Sequence, residues 1–160
     1  MEIRPAQVSD IPHILSLLRQ VGQVHHGIRP DLFRSGACKY DAEALTKLMA
    51  DPARPVFVAQ DGTVTGYCFC ILRQYNNDPA LTDRKELYID DLCVDENHHR
   101  MGVASALYRH ALDYAKAAGC SFVTLNVWEG NDGARRFYEQ MGLRPRSIIM
   151  ETSTENEYAD

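Results

Sequence analysis

The chain has no excess of basic charge. Lysine and arginine number 17 against 22 aspartates and glutamates, for a formal net charge of -5 and an isoelectric point near 5.6. A protein that neutralises nucleic-acid phosphates needs the opposite balance, so nucleic acid is excluded as the expected partner. An acidic surface steers cationic molecules instead, though weakly. No apolar run is long enough to span a bilayer, so no membrane partner is expected. The opening MEIRPAQVSD lacks the basic and apolar regions of a secretion signal. Cysteines are few and odd in number, 5, with no Cys-x-x-Cys pair. That pattern predicts reduced thiols in a cytoplasmic protein, with Cys68 and Cys70 alternating in an apolar run as buried strand residues do. Repeats, low-complexity tracts and linkers are also missing, and 160 residues suit one domain spanning 1–160.

What is present alternates between two periods. MEIRPA reads as a short strand with Met1 and Ile3 on one face. Ser9 or Asp10 caps a helix that tolerates Pro12 in its first turn, and Ile11, Ile14, Leu15, Leu18 and Val21 repeat with helical spacing. Residues 22–40 are irregular and too long for a simple connector, which suggests a role in specificity. A second helix follows Asp41 and closes before Pro52. Two β-rich runs flank Asp61-Gly62, a pair suited to a tight hairpin. ELYIDDLCV is a strand with Asp90 and Asp91 inside it. The helix after it buries Val103, Leu107, Ala111 and Tyr114 and stops at Gly119. CSFVTLNVW reads as a central strand, being almost wholly apolar or β-branched. Asn131 caps a helix ending at Gly142, RSIIME is the last strand, and the tail from about residue 152 frays. The order β-α-α-β-β-β-α-β-α-β describes one mixed α/β sheet.

A strand ending at Val94, a short loop, Gly102-Val103-Ala104 and then a helix form a phosphate-binding arrangement. The first helical turn has unpaired N–H groups, and the helix dipole adds positive field. Gly102 lets the chain turn and a ligand approach, and Ala104 is nearly as small. No Walker loop and no full GxGxxG is present. The adjacent pairs His25-His26 and His98-His99 complete no tetrahedral ligand set, so no metal is expected. Arg135-Arg136 reads as a solvated helix face or as a reach toward a phosphate. Trp128 suits either the core or a pocket wall.

Two spaced stretches, DDLCVDENHHRMGVASALYRHAL and NVWEGNDGARRFYEQMGLRP, together resemble the GNAT family of N-acetyltransferases. The family's loop reads Arg/Gln-x-x-Gly-x-Gly/Ala, and here it is His99-Arg100-Met101-Gly102-Val103-Ala104, with His99 departing from the pattern. The second signature matches Asn131, Ala134, Phe137, Tyr138, Gly142 and Leu143. The resemblance implies an α/β fold: a mixed, mostly antiparallel sheet flanked by helices, with two central strands splayed apart. It implies acetyl-CoA as donor and frequent homodimers. The pantetheine would pair with the backbone of Leu92, Cys93 and Val94. The diphosphate would sit on His99 to Ser105, and Asn131 would bond the pantetheine as well as cap its helix.

The resemblance also implies the reaction. A lysine-like amine must lose a proton at a cost of roughly 4–5 kcal/mol at neutral pH. Asp90 and Asp91 resemble the acid pair with which polyamine-type members hold and deprotonate the amine; an ion-paired or solvated role is the alternative. Neighbouring strand residues point to opposite faces, so one of the two is expected to meet the substrate and the other to serve stability. Tyr138 is the family's proton donor to the leaving sulfur, or else an aromatic at a helix–sheet contact. The expected function is transfer of acetyl to a small cationic primary amine. The rivals are an acyl-CoA sensor without turnover, a protein N-terminal or lysine acetyltransferase, and a nucleotide-binding protein, the last lacking a phosphate-binding lysine.

Overall fold

The computed structural model describes residues 1–155. Five strands pair in the order β1 (Glu2–Pro5), β2 (Val56–Asp61), β3 (Thr63–Tyr75), β4 (Arg84–Val94) and β5 (Phe122–Leu125). The ladders are antiparallel except for β4 with β5, which is parallel. Helices α1 (Ile11–Ile28) and α2 (Ala42–Met49) cover one face, and α3 (Val103–Ala117) and α4 (Asp132–Gln140) the other.

β2 and β3 are buried on both sides, which is why they read as near-continuous apolar runs. Val56, Val58, Tyr67 and Phe69 pack with Ile14, Leu18 and Leu45 of α1 and α2. Phe57, Ala59, Cys68 and Cys70 pack with Leu107 and Ala111 of α3. Each large apolar side chain sealed this way contributes about 1.5–3 kcal/mol. The hairpin turns at Gly62, whose φ is +73°. Asp41 caps α2 by accepting the Ala44 N–H at 2.8 Å, and Asn131 caps α4 by accepting that of Ala134 at 3.3 Å.

Three sequence expectations change. α1 does not stop near Val21 but runs on through Gly22 and Gly27 to Ile28. Gly22 is there for contact: a Cβ on it would meet the Ala37 carbonyl oxygen at 2.7 Å, so glycine lets the following loop lie against the helix. The strand expected over Cys120–Trp128 keeps only Phe122–Leu125, and it stands at the edge of the sheet. Apolar composition does not separate a central strand from an edge strand backed by a helix. Arg146–Glu151, expected as the last strand, pairs with nothing among the described residues. Of the tail expected to fray from residue 152, residues 156–160 lie outside the described residues. Among the described residues no helix is long and apolar enough to cross a membrane.

One contact sets how closely α3 approaches the sheet. A Cβ on Gly66 would meet the Cys93 carbonyl oxygen at 2.9 Å, Leu107 Cδ1 at 3.1 Å and Val103 Cγ1 at 3.2 Å. Gly66→Ala should therefore destabilise the protein by about 1–3 kcal/mol in denaturant unfolding. Gly27→Ala, where a Cβ meets nothing within 4 Å, should be neutral or stabilise by up to about 1 kcal/mol.

Candidate active site

The site begins with an extra residue in β4. β3 and β4 pair from Tyr75–Arg84 to Cys70–Ile89, then resume at Phe69–Asp91 and continue to Gly66–Val94. Asp90 is left over, as the bulged residue of the ladder. A one-residue insertion resets the alternation of faces. Leu87 and Ile89 pack toward α3, whereas Cys93 packs toward α1. Asp90 and Asp91 consequently both turn to the α1 side and line one cavity. The expectation that they face opposite ways is overturned by this bulge, which neither acid betrays in the sequence.

The two carboxylates have different partners. Asp91 Oδ2 accepts the Tyr67 hydroxyl at 2.8 Å. Asp90 Oδ2 accepts the Lys39 ammonium at 2.7 Å and the Tyr40 hydroxyl at 3.3 Å. Removal from water raises the pKa of Asp91 above the ordinary carboxylate range, while the Tyr67 hydrogen bond and the nearby Lys39 charge oppose the rise. Burial works against the charge on Lys39, but its bond to Asp90 together with the negative charges of Asp90 and Asp91 outweighs this and keeps it above the usual lysine value. Tyr67, Lys39 and Tyr40 were not singled out from the sequence. A polar-tipped tyrosine in an otherwise apolar strand was the available signal for Tyr67.

The second feature is the parting of β4 from β5. Their ladder runs from Glu86–Phe122 to Ile89–Leu125 and stops at the residue before the bulge. A bulge bends and twists its strand, and past it the two strands diverge. The cavity between them has a volume of about 450 Å³. His25, Phe33, Arg34 and Lys39 form one wall, Asp90, Asp91 and Leu92 the floor, and Asn126, Trp128, Asn131 and Tyr138 the other wall. Trp128 meets Phe33 edge-on with ring centroids 5.2 Å apart, so it belongs to the cavity mouth. Tyr138 is braced by Phe137 at 5.0 Å and Tyr108 at 6.4 Å. Burial drives its phenol well above the usual tyrosine value, and its hydroxyl bonds no other group among the described residues.

The third feature is the loop into α3. Gly102 precedes the helix at φ +79°, and Arg100 is also left-handed at φ +62°. No side chain caps α3, unlike α2 and α4. Ala106 is the first to bond back, to the Gly102 carbonyl at 3.0 Å, so the amides of Val103, Ala104 and Ser105 have no helical partner. A Cβ on Gly102 would meet nothing within 4 Å, so the space in front of these amides is open. Met101 stands 64% exposed beside it. His99 is less free than its sequence position suggests. Its Nε2 donates to the Val94 carbonyl at 3.0 Å, which also accepts Gln20 Nε2 at 2.9 Å. The ring thus pins the loop to the end of β4, and the Val94 oxygen is already taken. The unpaired backbone edge beside the cavity is left to Asp90 and Leu92, because the backbone of Cys93 faces Tyr67 in the β3 ladder; burial pushes the Cys93 thiol up to about 12. Among the described residues no three His, Cys, Asp or Glu side chains gather to hold a metal ion.

Residues 23–143 match the model of the acetyltransferase (GNAT) family. The chain belongs to this family. Among curated relatives, streptothricin acetyltransferase of Streptomyces lavendulae is 28% identical over 69% of this chain and 56% of its own length. An uncharacterised N-acetyltransferase of Methanocaldococcus jannaschii is 28% identical over 56% of this chain. The match spans 38% of the archaeal protein, so the chain covers only part of these relatives. Among solved structures, a mutant of the BH1408 protein of Bacillus halodurans superposes with a TM-score of 0.92 at 30% identity, over 96% of this chain and 99% of that one. A soil-metagenome aminoglycoside acetyltransferase in complex with sisomicin shares the fold, with a TM-score of 0.71 at 20% identity over 98% and 96% of the two chains.

The Tyr67–Asp91 bond is testable without any ligand. Tyr67→Phe removes a donor from a carboxylate already shifted upward, leaving its charged form less stabilised. The protonated acid depends less on that donor. The loss of stability should therefore be small in acid and grow as pH rises past the ordinary carboxylate range and through the raised pKa of Asp91, reaching about 1–3 kcal/mol above it. Denaturant unfolding at a series of pH values measures it.

Proposed function

We propose that this chain transfers the acetyl group of acetyl-CoA to a small cationic primary amine, which attacks the thioester directly. The observation that carries this reading is the convergence in one cavity of two carboxylates and the unbonded hydroxyl of Tyr138. The uncapped start of α3 lies at the end of the same strand, β4. Five unpaired cysteines support a reducing, cytoplasmic setting.

The residues fit the donor. The open amides of Val103, Ala104 and Ser105 suit a diphosphate, with Gly102 leaving room and the helix dipole adding field. The free backbone edge at Leu92 suits an extended pantetheine, paired as an added strand would be. Asn131 supports it from the opposite wall. Bound acetyl-CoA supplies an electrophilic thioester carbonyl. This chain's own groups then manage protons. Asp91 accepts the proton of the acceptor ammonium, and its raised pKa makes it a stronger base than an exposed carboxylate. Tyr67 holds that carboxylate in place. Asp90 attracts the ammonium into the cavity, where Lys39 competes for it as an internal cation. As the C–S bond breaks, Tyr138, protonated at working pH, gives its proton to the departing sulfur, and its oxygen recovers one from the positively charged nitrogen of the adduct, which leaves a neutral amide and a free thiol.

Among the similar proteins one is named a streptothricin acetyltransferase and others aminoglycoside acetyltransferases, one of them solved with sisomicin. Those names agree with a cationic acceptor for this chain.

Tyr138→Phe should keep acetyl-CoA affinity and lower kcat by about 100-fold or more, as loss of a general acid does. Asp91→Asn should lower kcat similarly and remove the acidic limb of the kcat/KM profile, a limb that lies above the ordinary carboxylate range in the wild type. Thiol-release assays over an amine panel read both. Unchanged kcat in either variant contradicts the assignment.

The cradle has its own test by calorimetric titration of acetyl-CoA. Gly102→Val adds roughly 1–3 kcal/mol of backbone strain and fills the approach, so binding should be lost. His99→Ala should weaken binding by about 1 kcal/mol.

A further inference from the structure

The cavity already holds a primary amine. The chain's lysines are Lys39, Lys47, Lys85 and Lys116. Lys47 pairs with Glu43 on the outside of α2, Lys116 pairs with Asp113 on the outside of α3, and Lys85 donates to the Ala118 carbonyl. Lys39 lines the cavity together with Asp90, Asp91 and Tyr138. Its Nζ lies 2.7 Å from Asp90 Oδ2, the carboxylate that draws in the acceptor's ammonium in the reaction proposed for this site. The Lys39 ammonium therefore stands in for the acceptor's.

Its neighbours fix that position. Cys38 and Tyr40 pack against the core on the α1 side. The Cys38 thiol donates to the Tyr40 carbonyl at 3.1 Å, and the Tyr40 hydroxyl donates to Asp90 at 3.3 Å, so the segment is tied down on both sides of Lys39. The side chain between them is 46% exposed, and its flexible stem lets the ammonium leave Asp90 and move within the cavity. An amine tethered in this way meets the site at an effective concentration on the order of millimolar.

We propose that Lys39 is itself an acceptor: with acetyl-CoA bound and no free amine in the cavity, the chain acetylates its own Lys39 Nζ. The inference rests on the acetyl transfer proposed for this cavity and assigns a modification site within it. The bond to Asp90 favours the charged amine, as it does for any ammonium held there, so the proton has to be taken away first. Asp91 takes it. The neutral Nζ attacks the thioester carbonyl, the C–N bond forms and the C–S bond breaks. The departing sulfur takes the Tyr138 proton, and the Tyr138 oxygen recovers one from the charged nitrogen. The products are an Nε-acetyl-lysine, a free CoA thiol and a proton on Asp91, which passes to water. Acetylation removes the charge that competes for Asp90 and leaves this carboxylate to a free cationic amine.

Peptide mass spectrometry of the full chain, incubated in neutral buffer with acetyl-CoA alone, tests the proposal. Lys47 and Lys116 are well exposed and report uncatalysed transfer from the thioester. Lys39 should be acetylated at least about 10-fold faster than either, at a rate independent of protein concentration. Tyr138→Phe should slow Lys39 by about 100-fold and leave Lys47 and Lys116 unchanged. A Lys39 rate no faster than theirs, or one proportional to protein concentration, overturns the proposal. So does a Lys39 rate that persists in Tyr138→Phe although turnover of free amines has fallen. The amine panel separates this failure from that of the underlying reaction. Turnover of a panel amine with Lys39 unmodified sinks self-acetylation alone, whereas no turnover and no modification sinks acetyl transfer as well.

Discussion

The site depends on one constraint: β4 cannot follow β5 past Ile89. The bulge at Asp90 bends β4 at the point where its parallel ladder ends. From that single extra residue come the open cavity, the unpaired backbone beyond it, and the placement of two acidic side chains on one face. A regular ladder would have sent Asp90 and Asp91 to opposite sides and left no room between the strands. Gly66 adds to this by letting α3 lie close against β3, which brings the start of α3 to the end of β4.

The electrostatics follow from the same geometry. Asp91 is drawn out of water and keeps one strong donor, Tyr67, so its pKa rises without the charge being abandoned. Asp90 stays nearer the mouth, where Lys39 and Tyr40 reach it from the irregular segment after α1. Tyr138 is the opposite case, a phenol whose burial keeps it protonated. An acid shifted toward basicity and a phenol held neutral in one cavity are suited to taking one proton and giving another. The helix termini show the same division of labour. α2 and α4 satisfy their first amides with Asp41 and Asn131, whereas α3 leaves its own free behind a glycine.

Local features of the site were legible in the sequence. The Gly102 turn, the Asn131 cap and the Phe137-Tyr138 pair each express a requirement satisfied within a few residues. Pairings between distant segments were not. The bulge is a property of two strands in register, and no residue type marks it. Lys39 meets Asp90 across 51 positions, and Gln20 reaches Val94 across 74. Gly22 looked like the end of a helix, yet it serves a contact that only the folded loop creates. RSIIME has strand composition, but a strand exists only when something lies beside it. His99 stands where the family carries Arg or Gln, and a role in anion contact followed from that place. The fold instead uses its ring to fasten the loop.

The central claim is that the donor lies across the parted strands and against the open start of α3. Hydrogen–deuterium exchange of backbone amides, with and without saturating acetyl-CoA, addresses it most directly. Slowed exchange at Leu92 and at Val103–Ser105, with β1 and β2 unchanged, is the predicted result. Unaltered exchange at both of these segments while acetyl-CoA is bound would contradict it.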